Sequence, residues 1–421
     1  MKQTLAALRS GSWLTRERIR RVAVAVLVAS AAGFLYLVVT AHGLVDVQGR
    51  PLGTDFSDVY AAGTYVLEGD AYAPFYPARQ HAREQQIFGE ATPFYGWHYP
   101  PFFLFIAGAV ALMPYGIALA VWQALTFGLY LLAMRAIVVS SSAPERGVKA
   151  FADPLWLLLA LAFPAVLVNV GHGQNGFLTA ALLGAALVQL DRRPLIAGIL
   201  FGCLAYKPQF GLMIPLVLAA SGRWRTFGVA AVTVALLATA TTIVFGAHVW
   251  LAFLDSTRFT RLVALEQGDT GWYKIQSAFA WARMWGAAIP TAYALQGALD
   301  VALGAALVLL WRSAASYPLK AAALCLAAIL ATPYAFDYDM MVLAPGIAFI
   351  AIDGRERGFG PWEKTALAAL WLIPLVARNV AYVTFVPLGV PAMLAMFVLL
   401  LRRSTFYSAL PVASSSVFLL K

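Results

Sequence analysis

The segment VAVAVLVASAAGFLYLVVTA, residues 22–41, contains no charged side chain. A helix needs about 20 apolar residues to cross about 30 Å of hydrocarbon, so this segment predicts a membrane span. Residues 226–245 and 381–401 have the same character. Apolar residues make up 61% of the 421 positions and charged residues 12%, which is more apolar surface than a soluble core can cover. We therefore expect an all-α, polytopic transmembrane bundle of about 11 to 13 membrane segments.

The basic residues of the chain predict its orientation in the membrane. The net charge of +10 would suggest nucleic acid in a soluble protein, but here most of it flanks apolar segments, and no nucleic-acid partner is expected. The positive-inside rule places the N-terminus in the cytoplasm, because six basic residues precede the first span. They are Lys2, Arg9, Arg16, Arg18, Arg20 and Arg21.

This orientation divides the chain into three parts. We expect residues 1–21 to form a cytoplasmic N-terminus, residues 22–401 a membrane-embedded domain, and residues 402–421 a cytoplasmic tail. Residues 42–98 and 247–290 become periplasmic loops with their own helices. A cleaved signal peptide ending near Ala29-Ser30-Ala31 is the alternative for the first span, but apolar residues continue to Ala41. If every apolar segment crossed the membrane completely, the alternation of sides would not keep the basic loops in the cytoplasm. One of the segments 99–113 and 155–170 is therefore expected to be short, broken or re-entrant.

Metal and nucleotide motifs are not found in the sequence. The five histidines form no HxxxH pattern, and Cys203 and Cys325 lie inside apolar segments as expected for packing residues. Neither a glycine-rich phosphate loop nor a GxSxG elbow is present. No cofactor is required by these features, and a divalent metal is possible but unsupported.

The first polar segment, residues 55–69, has apolar residues at helical spacing and predicts an amphipathic helix at the outer membrane surface. Asp55 and Asp58 are three residues apart and share a face, with Tyr60 close by. As an alternative, Asp55 is only an N-cap and Asp58 only a first-turn acid favoured by the helix dipole. The sequence leaves both interpretations open.

Further polar segments follow at the predicted outer ends of spans. His98 and Tyr99 precede a proline pair, and the uncharged turn containing His172, Gln174 and Asn175 suits sugar hydroxyls or is merely a polar turn. Lys207 could hold a phosphate or snorkel to the interface. The loop 247–290 is either an ordinary solvated segment or contributes further side chains that bind the substrate. Its candidates are Arg258 and Lys274, and the last polar segment adds Asp337 and Asp339.

In this order, these residues resemble glycosyltransferase family 87 of the GT-C superfamily. The resemblance rests on the first loop with Asp55 and Tyr60, on Tyr99-Pro100-Pro101, Gly173-Gln174-Asn175 and Lys207-Pro208, and on Pro333 with Asp337. It implies an integral membrane enzyme that moves a sugar, with mannose the best-known case, from a polyprenyl phosphate to an acceptor outside the membrane. It also makes Asp55 the catalytic base. Where some family members carry tryptophan and histidine, this chain has Phe336-Asp337-Tyr338-Asp339.

The resemblance and the residues together predict an inverting hexosyltransferase in the bacterial inner membrane, with its site facing the periplasm. Its partners would be the lipid-linked donor, a lipid or glycan acceptor and membrane lipids. One carboxylate suffices as base, since the prenyl phosphate leaves as a stable anion. A transporter or flippase of lipid-linked saccharides is the alternative, supported by Asp300 within an apolar segment. A noncatalytic scaffold is a third possibility.

Overall fold

The computed structural model describes residues 2–140 and 152–408, with side chains to residue 404. Helix accounts for 77% of the described residues, and these contain no β-strand. The α-helices are α1 Lys2–Ser10, α2 Arg16–Val39, α3 Phe56–Leu67, α4 Pro77–Phe88, α5 Leu104–Ala111, α6 Tyr115–Val139, α7 Leu155–Leu161, α8 Pro164–His172, α9 Gly176–Gln189, α10 Pro194–Cys203, α11 Met213–Ala220, α12 Trp224–Phe245, α13 His248–Thr260, α14 Ala278–Met284, α15 Ile289–Arg312, α16 Tyr317–Leu330, α17 Leu343–Arg357, α18 Glu363–Thr384 and α19 Gly389–Ser408.

Five of these helices are long and apolar enough to cross a membrane, namely α2, α6, α12, α15 and α18. Helices α2 and α12 leave most of their apolar side chains exposed, which is the surface expected against lipid rather than water. The length and the apolar composition of these helices thus identify the chain as a membrane protein. The predicted 11 to 13 segments and their sidedness remain predictions, and the part of the predicted tail from residue 409 lies outside the described residues.

Both segments in which a short or broken helix was expected, 99–113 and 155–170, are irregular. Helices α7 and α8 count as one further span only as a bent pair, with 41° between their axes. The bend falls at Pro164, the first residue of α8, where proline has no amide hydrogen to continue the preceding helix. The segment after Pro101 is a short apolar helix that ends at Ala111. Short and broken helices are typical of membrane proteins that enclose a polar cavity.

Helix α16 lies at the centre of the bundle, and its side chains are buried from Ala321 to Leu330. It packs against α17, α15 and α19. Alanines make up half of its buried stretch, and small side chains allow helix backbones to approach closely. Cys325 is buried there as a free thiol, and Cys203 is also free.

Two further contacts hold parts of the fold together, one at the first loop and one at the other end of the bundle. At Gly63 on α3, a Cβ atom would lie 2.0 Å from the carbonyl oxygen of Ala107, so glycine allows α3 to pack directly on α5. At the other end of the bundle, the buried Arg403 guanidinium contacts the carboxylates of Asp353 at 2.7 Å and Glu363 at 2.6 Å. These contacts join α17, α18 and α19 away from the first loop.

Candidate active site

A polar cavity of about 650 Å³ lies where the first loop meets the turns after α8 and α10 and the segments before α14 and α17. Most of the residues predicted from sequence line it, although they come from widely separated parts of the chain. They are Asp55, Asp58, His98, Tyr99, His172, Gln174, Lys207, Lys274 and Asp339. Tyr60, Asn175, Arg258 and Asp337 are not among the lining residues.

The Asp55 carboxylate does not cap α3. Its side chain accepts no hydrogen bond from the helix amides, and the amides of Phe56 and Ser57 bond to the carbonyl oxygen of Gly53 instead. The carboxylate accepts hydrogen bonds from Gln174 Nε2 at 3.1 Å and from the Thr54 hydroxyl at 3.2 Å. The capping alternative is therefore wrong, and the side chain, which is 19% exposed, remains available in the cavity.

Glycine at position 173 brings the α8 turn against the first loop. Its φ is +62°, a conformation that L side chains rarely adopt, and a Cβ atom there would lie 2.6 Å from Cβ of Phe56. The close approach lets the amide of Asp55 donate to the carbonyl oxygen of His172 at 2.9 Å. The imidazole Nδ1 of His172 lies 3.4 Å from Asp55 Oδ1. The turn His172-Gly173-Gln174-Asn175-Gly176 thus brings the side chains of His172 and Gln174 to the Asp55 carboxylate.

The Asp55 carboxylate is held in its ionised form. Burial alone raises its pKa, but the nearby His172 and the hydrogen bonds from His172, Gln174 and Thr54 outweigh that effect, so the pKa lies below its ordinary value. An ionised carboxylate can accept about four hydrogen bonds, so capacity remains for a substrate hydroxyl. Asp55 therefore meets the geometric and electrostatic requirements of a general base.

A second row of side chains fixes Gln174. The Tyr99 hydroxyl donates to Gln174 Oε1 at 3.3 Å, and the amide of Asn175 donates to the same oxygen at 2.7 Å. The Asn175 side chain in turn donates to the Tyr99 hydroxyl at 2.8 Å. With its oxygen occupied in this way, the Gln174 amide presents its nitrogen to Asp55. Tyr60 has a different role, since its hydroxyl donates to the carbonyl oxygen of Met113.

Asp58 and Glu84 form a buried acidic pair behind Asp55. Burial, together with the charges of Asp55 and Glu84, raises the pKa of Asp58 well above its ordinary value. Burial also raises the pKa of Glu84 to about 7, while its carboxylate accepts the amides of Tyr95 and Gly96. Glu84 was not predicted, because its helix α4 is mostly polar and its sequence does not show which of its polar side chains is buried. Through these two amides Glu84 holds the 95–96 segment beside the cavity.

Lys207 is not a free cation, contrary to the expectation from its sequence context. Its Nζ atom lies 2.5 Å from Asp339 Oδ1, and both side chains are buried, at 5% and 2% exposure. The other oxygen of Asp339 accepts the amide of Phe336 at 2.9 Å. Burial raises the pKa of Asp339, and Lys207 opposes this shift. Lys207 thus neither snorkels to the interface nor has an unbalanced charge to offer to a phosphate.

Asp337 is neutralised in the same manner by a residue that the sequence analysis did not select. The Nε atom of Arg378 lies 2.6 Å from Asp337 Oδ2. Arg378 is part of the apolar helix α18 and lines the cavity. An arginine inside a predicted span is a signal for a polar partner or cavity, and this signal could have identified it.

Lys274 is the cavity cation with the least local compensation. None of the salt bridges among the described residues includes it, and its ammonium lies 5.8 Å from the centre of the Tyr273 ring. Burial and the charge of Arg378 lower its pKa. Arg258 lies outside the site, because its side chain is 82% exposed on α13 and faces Asp255 at 3.9 Å. Arg50 and Arg261 also line the cavity, each beside an acid.

Aromatic rings cover much of the remaining wall. Phe336 and Tyr338 stack with their ring centres 5.3 Å apart, and Tyr334 meets Phe336 edge to face. His98 is half-buried and lines the same cavity, and desolvation lowers its pKa to about 4, so its imidazole is neutral near pH 7. Its Nδ1 lies 2.8 Å from the hydroxyl of Thr260. Flat apolar faces beside neutral hydrogen-bonding groups suit a sugar ring.

Within the described part of the chain, no three His, Cys, Asp or Glu side chains are grouped so that they could hold a metal ion. Of the cavity carboxylates, that of Asp339 is paired with Lys207, whereas that of Asp55 is held by Gln174, Thr54 and His172. The cavity is thus equipped for acid–base chemistry on a polar substrate that carries negative charge.

A membrane-embedded helical protein with such a cavity has the features of a membrane glycosyltransferase. The model of glycosyltransferase family 87 matches residues 97–333, more than half of the chain, and the chain belongs to this family. It is accordingly a glycosyltransferase of a GT-C type family, which acts on a sugar donor and an acceptor. The match begins after Asp55 and ends before Asp337. No curated protein and no solved structure matches the chain.

Proposed function

We propose that the protein is an inverting hexosyltransferase, with mannose as the first candidate sugar. The donor is a sugar linked to a polyprenyl phosphate, and the acceptor is a hydroxyl group of a lipid or glycan. The reaction takes place on the periplasmic side of a bacterial inner membrane. The observation that carries this proposal is the ionised Asp55 carboxylate, which lines the polar cavity and is held by His172, Gln174 and Thr54.

The proposed chemistry is a single displacement at the anomeric carbon. The acceptor oxygen forms a bond to that carbon while the bond to the phosphate oxygen breaks, and Asp55 takes the proton of the hydroxyl. The prenyl phosphate leaves as a stable anion and needs no strong acid to protonate it. A single base without a metal therefore accounts for each bond made and broken.

Lys274 is the best candidate for contact with the donor phosphate. Its ammonium has no carboxylate within salt-bridge distance among the described residues, and Arg378 is close enough to lower its pKa. A phosphate bound here would relieve the repulsion between the two cations and would gain charge-assisted hydrogen bonds. Lys207 contributes less, since Asp339 already balances its charge.

The aromatic wall, which adjoins the Lys274 segment through the contact of Phe336 with Ile275, supports sugar binding. Tyr334, Phe336 and Tyr338 present ring faces and hydroxyls to the cavity, and neutral His98 adds a hydrogen-bonding group without charge. Nothing in the transporter alternative uses this arrangement. Its principal support, Asp300, accepts a hydrogen bond from Gln296 at 2.7 Å on α15 and does not line the cavity.

Transfer from a panel of radiolabelled polyprenyl-phosphate sugars tests the proposal. Purified protein is incubated with each donor and a membrane lipid extract, and labelled product is separated from donor. Label transferred from at least one donor by the wild type, and not by Asp55→Asn, is the expected result. Transport of donor across vesicles without product formation would contradict it.

The proposed sidedness requires a separate test. Single cysteines replace the exposed Ala91 and Arg192 in a chain without Cys203 and Cys325. An impermeant thiol reagent applied to spheroplasts should label the cysteine at position 91 and spare the one at position 192. The reverse pattern would place the cavity on the cytoplasmic side. Ser57 is unsuitable for this test, because its side chain is fully buried.

A further inference from the structure

We propose that His172 is a positioning residue for Asp55 and acts through the hydroxyl group of Thr54. This inference rests on the proposed function, because it assumes that Asp55 is the base. It goes further by making the base a unit of three side chains, supplied by the first loop and by the turn after α8.

The three side chains are in contact. The Thr54 hydroxyl oxygen lies 2.7 Å from His172 Nδ1 and 3.2 Å from Asp55 Oδ1. The imidazole Nδ1 is also 3.4 Å from the same carboxylate oxygen. The backbones meet as well, since the amide of Asp55 donates to the carbonyl oxygen of His172 at 2.9 Å. Thr54 therefore bridges the imidazole and the carboxylate within a rigid contact between two loops.

The direction of the hydrogen bonds follows from the charge on Asp55. An ionised carboxylate only accepts, so the single proton of the Thr54 hydroxyl points toward Asp55. The hydroxyl oxygen is then free to accept, and Nδ1 of His172 supplies the proton, either from the charged ring or from the neutral ring in its Nδ1–H tautomer. A donor chain from imidazole through hydroxyl to carboxylate polarises each bond along it.

This chain fixes the orientation of the base. Thr54 and His172 occupy Oδ1, while Gln174 donates to Oδ2 at 3.1 Å. Donors on both oxygens prevent the carboxylate from rotating about its terminal bond. The acceptor hydroxyl then meets a carboxylate in one orientation, so that its proton can pass to Asp55 as the bond to the anomeric carbon forms. His172 itself gains no proton in this step.

The charged groups facing His172 come from two segments. Asp55 faces it from the first loop, and Asp337 interacts with its charge from the segment before α17, where Arg378 binds Asp337. The Tyr338 ring lies edge to face with the imidazole, 6.1 Å between ring centres. Among the residues that the structure describes, Asp55 alone contacts the imidazole through a hydroxyl bridge. A change at His172 is thus expected to affect Asp55 first.

Conservative and disruptive variants separate positioning from folding. His172→Ala and Thr54→Val remove the donor chain but leave the base, so we expect kcat to fall by about 10- to 100-fold, less than the roughly 10²- to 10⁴-fold that a general base contributes. The KM for the donor should change less than about twofold, since the phosphate is bound elsewhere. His172→Asn keeps an amide donor near the position of Nδ1, and Thr54→Ser keeps the hydroxyl, so both should retain most of kcat.

The pH dependence supplies a readout that a structural role would not change. His172→Ala and His172→Asn both lose the imidazole charge that lowers the pKa of Asp55, so the acid limb of kcat should move to higher pH in both. His248→Asn, an exposed histidine at the start of α13, is the matched control and should leave the limb in place.

Wild-type kcat and an unmoved acid limb in folded His172→Ala, or in Thr54→Val if His172→Ala does not fold, would overturn the inference alone. A wild type that transfers no sugar from any donor would overturn it together with the proposed function.

Discussion

The two acidic segments of the cavity, residues 55–58 and 337–339, differ in what lies against their carboxylates. Asp337 and Asp339 each contact a permanent cation, Arg378 and Lys207, at 2.6 Å and 2.5 Å. Asp55 contacts an amide, a hydroxyl and an imidazole, none of which carries a fixed charge. Asp55 is thus an ionised carboxylate with hydrogen-bonding capacity left for a substrate hydroxyl, whereas the charges of Asp337 and Asp339 are already balanced by basic side chains of the protein.

This difference indicates a division between chemistry and structure. A buried ion pair contributes little net stability, but removing one partner leaves an uncompensated charge that is costly. The Lys207–Asp339 pair also joins the turn after α10 to the segment before α17, 132 residues apart. We therefore assign this pair to building the cavity wall and Asp55 to the reaction.

The strongest expected effect is on catalysis by Asp55→Asn. Asparagine keeps the size of the side chain but cannot accept a proton, so the transfer rate should fall by about 10²- to 10⁴-fold. Stability should be nearly unchanged, because the carboxylate caps no helix. Transfer assays and thermal unfolding in detergent measure the two quantities. A native transfer rate in Asp55→Asn would show that Asp55 has no catalytic role that sets it apart from Asp337 and Asp339.

Lys207→Met should affect stability instead. It leaves Asp339 buried without its cation, and we expect the free energy of unfolding to fall by about 3 to 5 kcal/mol. Adding Asp339→Asn removes the stranded charge and keeps an oxygen for the amide of Phe336, so the double variant should regain most of the loss. Chemical unfolding in detergent checks both. A stable single variant with impaired donor binding would return the phosphate role to Lys207.

Lys274→Gln should weaken use of the donor without destabilising the protein. A charged hydrogen bond to phosphate is worth about 1.5 to 3 kcal/mol, which corresponds to a rise of at least about tenfold in the KM for the donor. Arg258→Gln is the matched control, and its KM should stay within about twofold, because Arg258 lies outside the cavity. Equal effects of the two substitutions would show that general surface charge, not a cavity contact, attracts the donor.

Glu84 should make stability depend on pH. Its pKa is raised to about 7 in the folded state, so the unfolded chain releases this proton at lower pH than the folded one. Stability should therefore fall by about 1 to 3 kcal/mol as the pH rises from 4.5 to 7. Glu84→Gln should reduce this slope, and Glu90→Gln, an exposed acid two residues beyond α4, should not. Unfolding measured at pH 5 and pH 8 distinguishes them.

Much of the site could be predicted from the sequence, because its residues are polar groups at the ends of apolar segments. Asp55, Gln174 and Lys274 were selected in this way, and all three line the cavity. Sequence could not reveal which cations the acids would meet. The partners Lys207 and Asp339 are far apart in the chain, and the position of Arg378 within an apolar helix indicates a polar partner without showing that it is Asp337.

The fold, like the site, could be predicted from the sequence only in part. Helical segments follow directly from apolar composition, and the description as an all-α membrane protein is confirmed. The number of crossings was harder to predict, because a run of apolar residues does not show whether its helix will break. Pro164 bends one segment into two short helices, and composition alone would count it as a single straight span.

The most direct test of the assignment of Asp55 replaces the acceptor by an anion that needs no base. Azide is added to Asp55→Ala with the donor sugar, and the product is analysed for its anomeric configuration. We expect a glycosyl azide of inverted configuration, formed faster than by the wild type, because azide attacks without losing a proton and the carboxylate no longer repels it. If folded Asp55→Ala forms no glycosyl azide while still binding the donor, Asp55 is not the general base.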